Sequence, residues 1–398
     1  MGETRIRTTP SPGLSSSYSI GLIRPIEGGR FVARREQQFN RQARVNLRQE
    51  LYALPKVDLH RHLEGSLRLK TLAEIAQEHG LDLPSYDIEQ LRPYVQVTND
   101  PPDFHRFLEK FRLLRRFYTT PEAVKRVAYE AVADAAEDNV RYLELRLNPE
   151  ALAEARRFSL SDVADWVIEA VHKAEADYDI KVRLIAMIRR DKSLENAWEI
   201  ARLAIERKDD GFVGLDLAGD EVNYPATPFT PVFQAAKEAG LGITIHAGEH
   251  GSAENVREAV YEMRADRIGH GVRSIENHQV IQLLREHKTI LEVCPTSNLQ
   301  TGVMHSFAHH PLRDLYYLGV RATINTDDPS VSDTTLTDEY LVAVMGIGLA
   351  IPDIKQMILY AAEGAFLPPD EKAALIARLR QEMGMEVKVG IEEGGTEG

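Results

Sequence analysis

The segment Lys56-Val-Asp-Leu-His-Arg-His-Leu-Glu-Gly65 has the alternation of a β-strand and carries two histidines two residues apart. Successive side chains of an extended strand point to opposite faces, so His60 and His62 leave the backbone on the same side. Asp58 and Glu64 are expected on that side as well. Two imidazoles on one strand face can bind one metal ion. An isolated His-x-His pair also arises by chance, so its meaning depends on the rest of the chain.

The composition fits a soluble globular protein. Of the 398 residues, 43% are hydrophobic and 27% are charged, and this length accommodates one large α/β barrel or two ordinary domains. No apolar run approaches the roughly eighteen residues of a membrane span. The formal net charge of −13 argues against a nucleic-acid partner. The single cysteine, Cys294, cannot form an internal disulfide, so we expect a cytoplasmic protein.

Residues 1–45 differ from the rest of the chain. Turn-forming residues fill positions 8–17, and several arginines follow them. A start rich in Ser and Arg and poor in acidic residues could be an organelle transit segment. Because no amphipathic helix stands out in the first twenty residues, a partly disordered extension is the favoured interpretation. We therefore predict an extension over 1–45 and a single domain over 46–398.

From residue 50 onward, strand-like runs alternate with longer segments of helical periodicity. Eight such alternations predict a TIM-type (β/α)8 barrel. An open doubly wound sheet is the competing architecture, but no G-x-G-x-x-G follows any of the strands. The predicted strands are 57–62, 140–147, 181–188, 212–217, 242–246, 267–270, 290–293 and 320–325.

Two helical additions to this barrel are predicted. The first is an insert over 98–119, after the first strand, in which Phe104, Phe107, Leu108 and Phe111 recur at helical spacing. Such residues are usually core, and the functional alternative is a lid that binds substrate over an apolar pocket. The second addition is a C-terminal helix over 371–382, followed by a Gly/Glu-rich end.

Barrel enzymes place their chemistry at the carboxyl ends of the strands, and polar residues gather there in this sequence. The first strand ends in His60-Arg-His62, the fifth in His246, the sixth in Gly-His270-Gly, and the eighth in Asn325-Thr-Asp-Asp-Pro329. Each fragment alone is weak evidence, since a strand-end His or an Asp-Asp-Pro turn is common. Together they form a nitrogen and oxygen donor set suited to a divalent cation such as zinc.

These segments resemble the signature motifs of the adenosine deaminase family of zinc hydrolases, in order and in spacing, over residues 50–365. The resemblance implies one zinc ion per chain, bound by His60, His62, His246 and Asp327, with a water molecule as nucleophile. It also implies hydrolytic removal of the 6-amino group of a purine nucleoside, a small-molecule substrate. The motifs are His60-Arg-His-Leu-Glu-Gly-Ser66, Gly214-Leu-Asp-Leu-Ala-Gly-Asp-Glu221, His246-Ala-Gly-Glu249, Ile268-Gly-His-Gly271, Val293-Cys-Pro-Thr-Ser-Asn298 and Asn325-Thr-Asp-Asp-Pro329.

The chemistry assigns roles to residues beside the predicted ligands. His270 can accept the proton of the nucleophilic water or orient the hydroxide, and Asp328 can accept a hydrogen bond from it. Attack at the ring carbon places negative charge on the adjacent ring nitrogen, which Glu249 can protonate if burial raises its pKa. Gly219 resembles the family glycine whose backbone N–H contacts the purine, and the family assigns the same roles to these positions. Asp216 is a weaker candidate, because a strand-end Asp can simply anchor backbone.

Several other polar residues are expected outside the site. Cys294 is interpreted as a small buried apolar residue. His305, His309 and His310 cluster in a loop and at a helix start, away from the strand ends, and a solvated face is the favoured interpretation for them.

One position departs from the family pattern. Many relatives that act on nucleosides have Asp where this chain has Glu64, near the ribose hydroxyls. Glu occurs there in relatives acting on free adenine, although the intact Gly214–Glu221 segment and Ile268 before Gly-His argue against a free base. The longer side chain could favour a 5′-substituted nucleoside, resembling aminodeoxyfutalosine or methylthioadenosine.

Three other functions fit the sequence less well. A binuclear amidohydrolase would need a bridging lysine at the end of the fourth strand, and none is present. A non-catalytic binding protein would be expected to lack a proton-transfer group, yet Glu249, His270 and Asp328 are all present. A nucleic-acid editing deaminase uses an H-x-E…P-C-x-x-C zinc motif, which one cysteine cannot supply. The sequence thus predicts a zinc aminohydrolase for adenosine or a close analogue, and it does not indicate an oligomeric state.

Overall fold

The computed structural model describes the backbone of residues 28–385 and the side chains of residues 41–385. Contacts place the start of the barrel unit between Asn46 and Leu47. The extension over 1–45 stays a prediction: residues 28–45 belong to a helix, and residues 1–27 lie outside the described part. No helix of the described part is both long and apolar enough to cross a membrane.

Eight parallel strands alternate with helices and pair in chain order, which confirms the TIM-type (β/α)8 barrel. The order β1-β2-β3-β4-β5-β6-β7-β8 excludes the doubly wound alternative, since that fold requires the strand order to reverse. The strands are β1 (Lys56–His62), β2 (Val140–Leu147), β3 (Lys181–Arg189), β4 (Phe212–Ala218), β5 (Gly242–Ala247), β6 (Arg267–His270), β7 (Ile290–Val293) and β8 (Arg321–Ile324).

The α-helices alternate with the strands along the chain and also form both predicted additions. Those of the described part are α1 (Gly28–Ala53), α2 (Leu69–His79), α3 (Ile88–Val95), α4 (Phe104–Leu114), α5 (Pro121–Glu137), α6 (Pro149–Ala153), α7 (Leu160–Asp177), α8 (Leu194–Glu206), α9 (Thr230–Glu238), α10 (Ala253–Tyr261), α11 (His278–His287), α12 (Pro295–Gln300), α13 (Leu312–Tyr317), α14 (Pro329–Ser332), α15 (Leu336–Val342), α16 (Ile351–Gly364) and α17 (Pro369–Glu382).

The predicted insert after β1 contains α4, whose ends follow from local sequence. Asp103 has extended backbone and its side chain accepts a hydrogen bond from the N–H of Arg106, so it caps the helix. At the other end a 3-10 turn, Arg115–Phe117, continues the chain toward α5. The predicted C-terminal helix is α17, and the Gly/Glu-rich end beyond residue 385 lies outside the described part.

The barrel closes where β8 meets β1, at the mouth of the cylinder. The N–H of His62 donates to the carbonyl of Asp327 and the N–H of Asp327 donates to the carbonyl of His60, both at 2.8 Å. Deeper in the seam, the side-chain Oδ1 of Asn325 accepts from the N–H of Leu59 at 3.0 Å. The closing hydrogen bonds therefore come from the residues that carry the predicted metal ligands.

The inside of the barrel is filled by paired charges rather than by apolar side chains alone. Arg146 bridges Asp216 at 3.0 Å and Glu292 at 2.7 Å, and Arg267 bridges Glu292 and Glu144 at 2.5 Å each. All five side chains are at most 1% exposed. Buried charges are tolerated when they are paired and hydrogen-bonded, so this network depends on every member being present.

Replacement of Asn325 by Leu tests the seam. The variant keeps the approximate volume but leaves the buried N–H of Leu59 without a partner, which costs on the order of 1–3 kcal/mol. It also removes the hydrogen bonds to the carbonyl of Val293 and to Thr323. Urea unfolding should show a lower free energy of unfolding for Asn325→Leu than for the control Asn99→Leu, which changes an exposed loop residue. Equal stabilities would mean that the seam does not depend on this side chain.

Candidate active site

A cavity of about 380 Å³ opens at the carboxyl ends of the strands. Its wall includes residues from β1, β4, β5, β6 and the loop after β8, together with α4. Cavities of this size bind small molecules in many proteins. The predicted site residues on its wall are His62, Glu64, Phe104, Phe107, Leu108, Phe111, Gly219, His246, Glu249, His270, Asp327 and Asp328.

Four imidazoles surround the carboxylate of Asp327. The ligand atoms of His60, His246, His270 and Asp327 all lie within 4.8 Å of one another. The Nε2 atoms of His60 and His62 each lie 3.3 Å from Oδ1 of Asp327, and Nε2 of His270 lies 3.9 Å from Oδ2. This group contains His270, which was not a predicted ligand, and omits His62, which was. Which of these two histidines would bind the metal therefore stays a prediction.

Buried carboxylates at the Nδ1 atoms of His60 and His246 fix the orientation of these two rings. Nδ1 of His60 lies 2.8 Å from Oε2 of Glu292, and Nδ1 of His246 lies 3.0 Å from Oδ1 of Asp216. A carboxylate at Nδ1 holds the proton there and leaves Nε2 free to bind a metal. Asp216 was a weaker candidate for the site from the sequence, and its carboxylate contacts the imidazole of His246 and the guanidinium of Arg146.

His270 is held differently from these two rings. Its Nδ1 lies 3.2 Å from the amide Nδ2 of Asn298, whose Oδ1 faces Nε2 of His310 at 3.3 Å. With the amide donating to Nδ1, the neutral ring carries its proton on Nε2, facing Oε2 of Glu249 at 3.6 Å. In that tautomer the His270 nitrogen that faces the cavity carries a proton, so it can donate to an oxygen there but cannot bind a metal. The tautomer therefore favours His62 as the fourth ligand.

Backbone conformations at the mouth are unusual. His270 and Asp327 have φ of 59° and 60°, in the left-handed region that residues with a Cβ rarely adopt. Gly65 is required for a different reason, because a Cβ there would lie 1.9 Å from Oδ1 of Asp328. Residues in sparsely populated conformations often occur at functional sites, where the surrounding structure compensates their cost.

Glu249 lies in a loop that a second glutamate holds. The carboxylate of Glu221 accepts hydrogen bonds from the N–H groups of Gly248, Glu249 and Gly251, at 2.7 to 2.9 Å. Burial raises the pKa of Glu249 well above its usual value, and the charges of Asp327 and Glu221 add to that effect. A carboxyl with a raised pKa keeps its proton to a higher pH than an ordinary glutamate and can donate it.

Asp328 and Glu64 both have an oxygen free to contact a ligand. Within the described part, Oδ1 of Asp328 and Oε2 of Glu64 are buried without a hydrogen-bond partner. Oε1 of Glu64 accepts from the N–H of Asn148 at 2.6 Å. Burial raises the pKa of Glu64 to about 7, and burial together with Asp327 raises the pKa of Asp328 well above its usual value.

The predicted lid residues lie on one face of α4. Phe104 contacts the ring of His250, with ring centroids 4.2 Å apart, and Phe107 packs on Phe111 at 5.9 Å. Phe107 and Phe111 are at once part of the hydrophobic core and of the cavity wall, whereas Leu108 is 41% exposed. Both interpretations of this helix are therefore compatible with its position, and movement as a lid stays a prediction.

Gly219 lies across the cavity with φ of 107°, a conformation that favours glycine. Cys294 is buried and unpaired with another cysteine, as predicted.

The prediction for His310 was wrong: it is 4% exposed and hydrogen-bonded to Asn298, while His305 and His309 are exposed as expected. The contact between His310 and Asn298 could not be predicted from their separation along the chain, because the loop after α12 folds back onto that helix.

Comparisons with known proteins agree with this geometry. The sequence model described as adenosine deaminase matches residues 55–382. A Klebsiella pneumoniae protein named adenosine deaminase is 39% identical over 327 residues, covering 82% of this chain and 98% of the relative. The chain belongs to the adenosine deaminase family. The recognition made from the sequence motifs is thus confirmed.

Solved structures of similar fold include two further relatives at 28% identity. The adenine deaminase of Arthrobacter aurescens gives a TM-score of 0.77, covering 83% of this chain and 99% of that one. An amidohydrolase from Burkholderia ambifaria, crystallised with bound Zn, gives a TM-score of 0.78 and covers 85% and 92%. The chain thus resembles these deaminase and amidohydrolase structures over nearly all of its barrel.

The residues of this family member fit a divalent cation. Nε2 of His60 is buried and makes no hydrogen bond within the described part, although it faces the carboxylate of Asp327. Burial lowers the pKa of His62 to about 4 and also lowers the pKa of His246, so these rings are neutral near pH 7. Neutral imidazoles and a carboxylate are the donor set that zinc prefers.

Sequence reasoning missed the residues behind the site. Glu292, Arg146 and Glu221 were not predicted to matter, although Glu221 lies in a recognised motif. Arg146 and Glu292 are charged residues within strands β2 and β7, where an apolar residue is normal, and this was the signal available. Their partners come from strands distant in sequence, so no spacing along the chain could identify the contacts.

Replacement of Glu292 by Gln tests the support of His60. The amide cannot hold the Nδ1 proton as a carboxylate does, so divalent-metal affinity should fall by about 10–100-fold. Chelator competition measures the affinity, and thermal unfolding shows whether the variant is folded. Glu339→Gln is the matched control, because Glu339 is equally buried but binds Thr296 and Thr334 rather than an imidazole. Unchanged affinity in a folded Glu292→Gln would contradict the role.

Proposed function

We propose that this chain is a zinc-dependent aminohydrolase that converts adenosine or a close analogue to the 6-oxopurine and ammonia. The observation that carries the proposal is the convergence of Glu249, His270 and Asp328 with the His60/Asp327 cluster around one cavity. Membership of the adenosine deaminase family supports it, as do the names of the relatives. Overall, one water is consumed, the bond from C6 to the amino nitrogen is broken, and a C6–oxygen bond is formed.

The proposed ligands are His60, His62, His246 and Asp327, holding one zinc ion. A bound zinc ion would lower the pKa of a water molecule from about 15.7 to about 7. The deprotonated Glu292 keeps the proton of His60 on Nδ1: burial opposes its ionisation, but Arg146 and Arg267 hold its pKa well below the usual value. A single cation is proposed because a second one would need a lysine at the end of β4 to bridge the two metal ions, and β4 contains none.

The catalytic residues are proposed to move and hold protons around the purine. Glu249, protonated because its pKa is raised, donates to the ring nitrogen next to C6 as charge develops there. His270 and the unpartnered oxygen of Asp328 orient the attacking oxygen by donating to it and accepting from it. The N–H of Gly219 contacts the opposite side of the purine, where the absence of a Cβ permits close approach.

The sugar is proposed to lie against Glu64, whose Oε2 has no other partner in the described part. A hydrogen bond from a ribose hydroxyl would satisfy that oxygen. Free adenine could not make this contact, so a nucleoside or a 5′-substituted nucleoside is the favoured substrate. We also propose that the protein acts in purine metabolism and in the cytoplasm. No nucleic-acid partner is proposed.

The proposal is tested by following purine ultraviolet absorbance with adenine, adenosine and 5′-substituted adenosines, with and without a chelator. Adenosine or a 5′-substituted adenosine should be converted to the 6-oxo product, with kcat/KM well above that for adenine. Chelation should abolish turnover, and added zinc should restore it. Conversion of adenine alone, or turnover that survives removal of the metal, would contradict the proposal.

Glu249→Gln should keep the metal and lose turnover by at least about 100-fold, because the amide cannot donate a proton to the ring nitrogen as an acid does. In the wild type, kcat should fall as pH rises through the raised pKa of Glu249, since only the protonated form donates. The control Glu254→Gln changes an acid in the first turn of α10, outside the cavity wall. Near wild-type turnover by Glu249→Gln would assign the donation to another group.

A further inference from the structure

The face of α4 that lines the cavity changes character along its length. Phe104, Phe107, Leu108 and Phe111 are followed at the same helical spacing by Arg112 and Arg115, and all six line the cavity wall. Arg115 retains helical backbone, with φ of −61° and ψ of −22°, so the spacing holds to the end. One face of one helix therefore presents an apolar surface and then two guanidinium groups to the same space.

The two guanidinium groups lack partners within residues 41–385. Neither Arg112 nor Arg115 makes a side-chain hydrogen bond or ion pair there, and Nε of Arg115 is buried without a partner. The third arginine of the wall, Arg189, is instead bound through two hydrogen bonds to Asp191. A buried guanidinium nitrogen without a partner is unfavourable, which points to a ligand that supplies one.

Three acids that line the same cavity already have partners. Asp191 is paired with Arg189, as described above. Asp220 accepts from the backbone of Val222 and Asn223. Glu64 keeps one oxygen for the proposed ribose contact and gives the other to Asn148. No acid of the wall therefore binds the two guanidinium groups directly.

The position of the arginines identifies which part of the substrate they meet. Phe104, at the start of α4, contacts His250 next to Glu249, at the end where the reacting purine is proposed to lie. Eleven residues of helix advance by about 16 Å, which places Arg115 toward the opposite end. Arg115 and Glu64, the residue at the proposed ribose position, both line this cavity. With the purine at Glu249 and the ribose at Glu64 as proposed, the arginines face the sugar end of the substrate, away from the purine.

We propose that the substrate carries an anionic group at or beyond C5′ of the ribose, a phosphate or a carboxylate, and that Arg112 and Arg115 bind it. This inference rests on the proposed function, because the orientation of the purine comes from it. Guanidinium groups bind both anions through paired hydrogen bonds, so the recognising chemistry is shared. The apolar half of the α4 face then covers the purine and sugar, and the arginine half selects the substituent.

The test compares kcat/KM for four 6-aminopurine nucleosides in the zinc-loaded enzyme: adenosine, methylthioadenosine, adenosine 5′-monophosphate and adenosine 5′-carboxylate. The neutral methylthio compound separates size from charge, and the last two distinguish phosphate from carboxylate. At least one anionic compound should exceed both neutral ones by about tenfold or more, and the advantage should shrink at high salt. Equal or lower kcat/KM for both anions would overturn the inference.

Two double variants assign the effect to the cavity face. Arg112→Gln with Arg115→Gln should remove the preference for the anion. The matched control is Arg106→Gln with Arg116→Gln, which removes the same charge from α4 and its 3-10 turn outside this cavity. The control should keep the preference, with thermal unfolding confirming that both proteins fold. If both variants lost the preference for the anionic substrate equally, the preference would come from the overall charge of the protein, and the assignment to Arg112 and Arg115 would be contradicted.

Failure of the proposed function would look different. If the zinc-loaded wild type deaminates none of the four compounds, the proposed function fails. Calorimetric binding of adenosine 5′-monophosphate and adenosine 5′-carboxylate, each against adenosine, then decides the arginine assignment. Tighter binding of either anion, lost in the Arg112/Arg115 variant alone, would support the assignment, and equal binding would overturn it.

Discussion

The structure depends most on the seam that closes the barrel between β8 and β1. Two backbone hydrogen bonds join Asp327 to His60 and His62, so the closure of the barrel at its mouth and the convergence of the donor groups are one event. The left-handed backbone of Asp327 and the missing side chain of Gly65 allow this close approach. A barrel that failed to close here would separate the strand-one imidazoles from the carboxylate by more than a metal ion can span.

Beneath the seam, buried charges connect the fold to the site. Glu292 contacts His60 with one oxygen and Arg267 with the other, and Arg146 joins it to Asp216 behind His246. The network therefore holds two of the rings through residues from four strands. Such an interior is less tolerant of substitution than an apolar one, because loss of one member leaves an unpaired buried charge. The rigidity that results suits a site whose donor atoms must be fixed before the cation binds.

The sequence predicted the fold and most of the cavity wall, because both depend on periodicity and on the ends of elements. Strand-helix alternation gave all eight strands to within one or two residues, and strand ends identified His246, His270 and Asp327. Contacts between distant segments were beyond such reasoning. His310 appeared to be a loop residue, yet it reaches Asn298 after the chain folds back. Arg112 and Arg115 were overlooked because the apolar spacing of α4 was followed only as far as Phe111.

X-ray absorption at the zinc edge, combined with elemental analysis of the purified chain, tests whether a single cation is bound at the closing seam. We expect one zinc per chain, coordinated by nitrogen and oxygen only, with a scattering pattern that requires at least three imidazoles. Cys294, the residue directly after β7, is buried and should contribute no sulfur. Sulfur coordination, two metal ions per chain, or a protein that binds no zinc would contradict a single cation held at the closing seam.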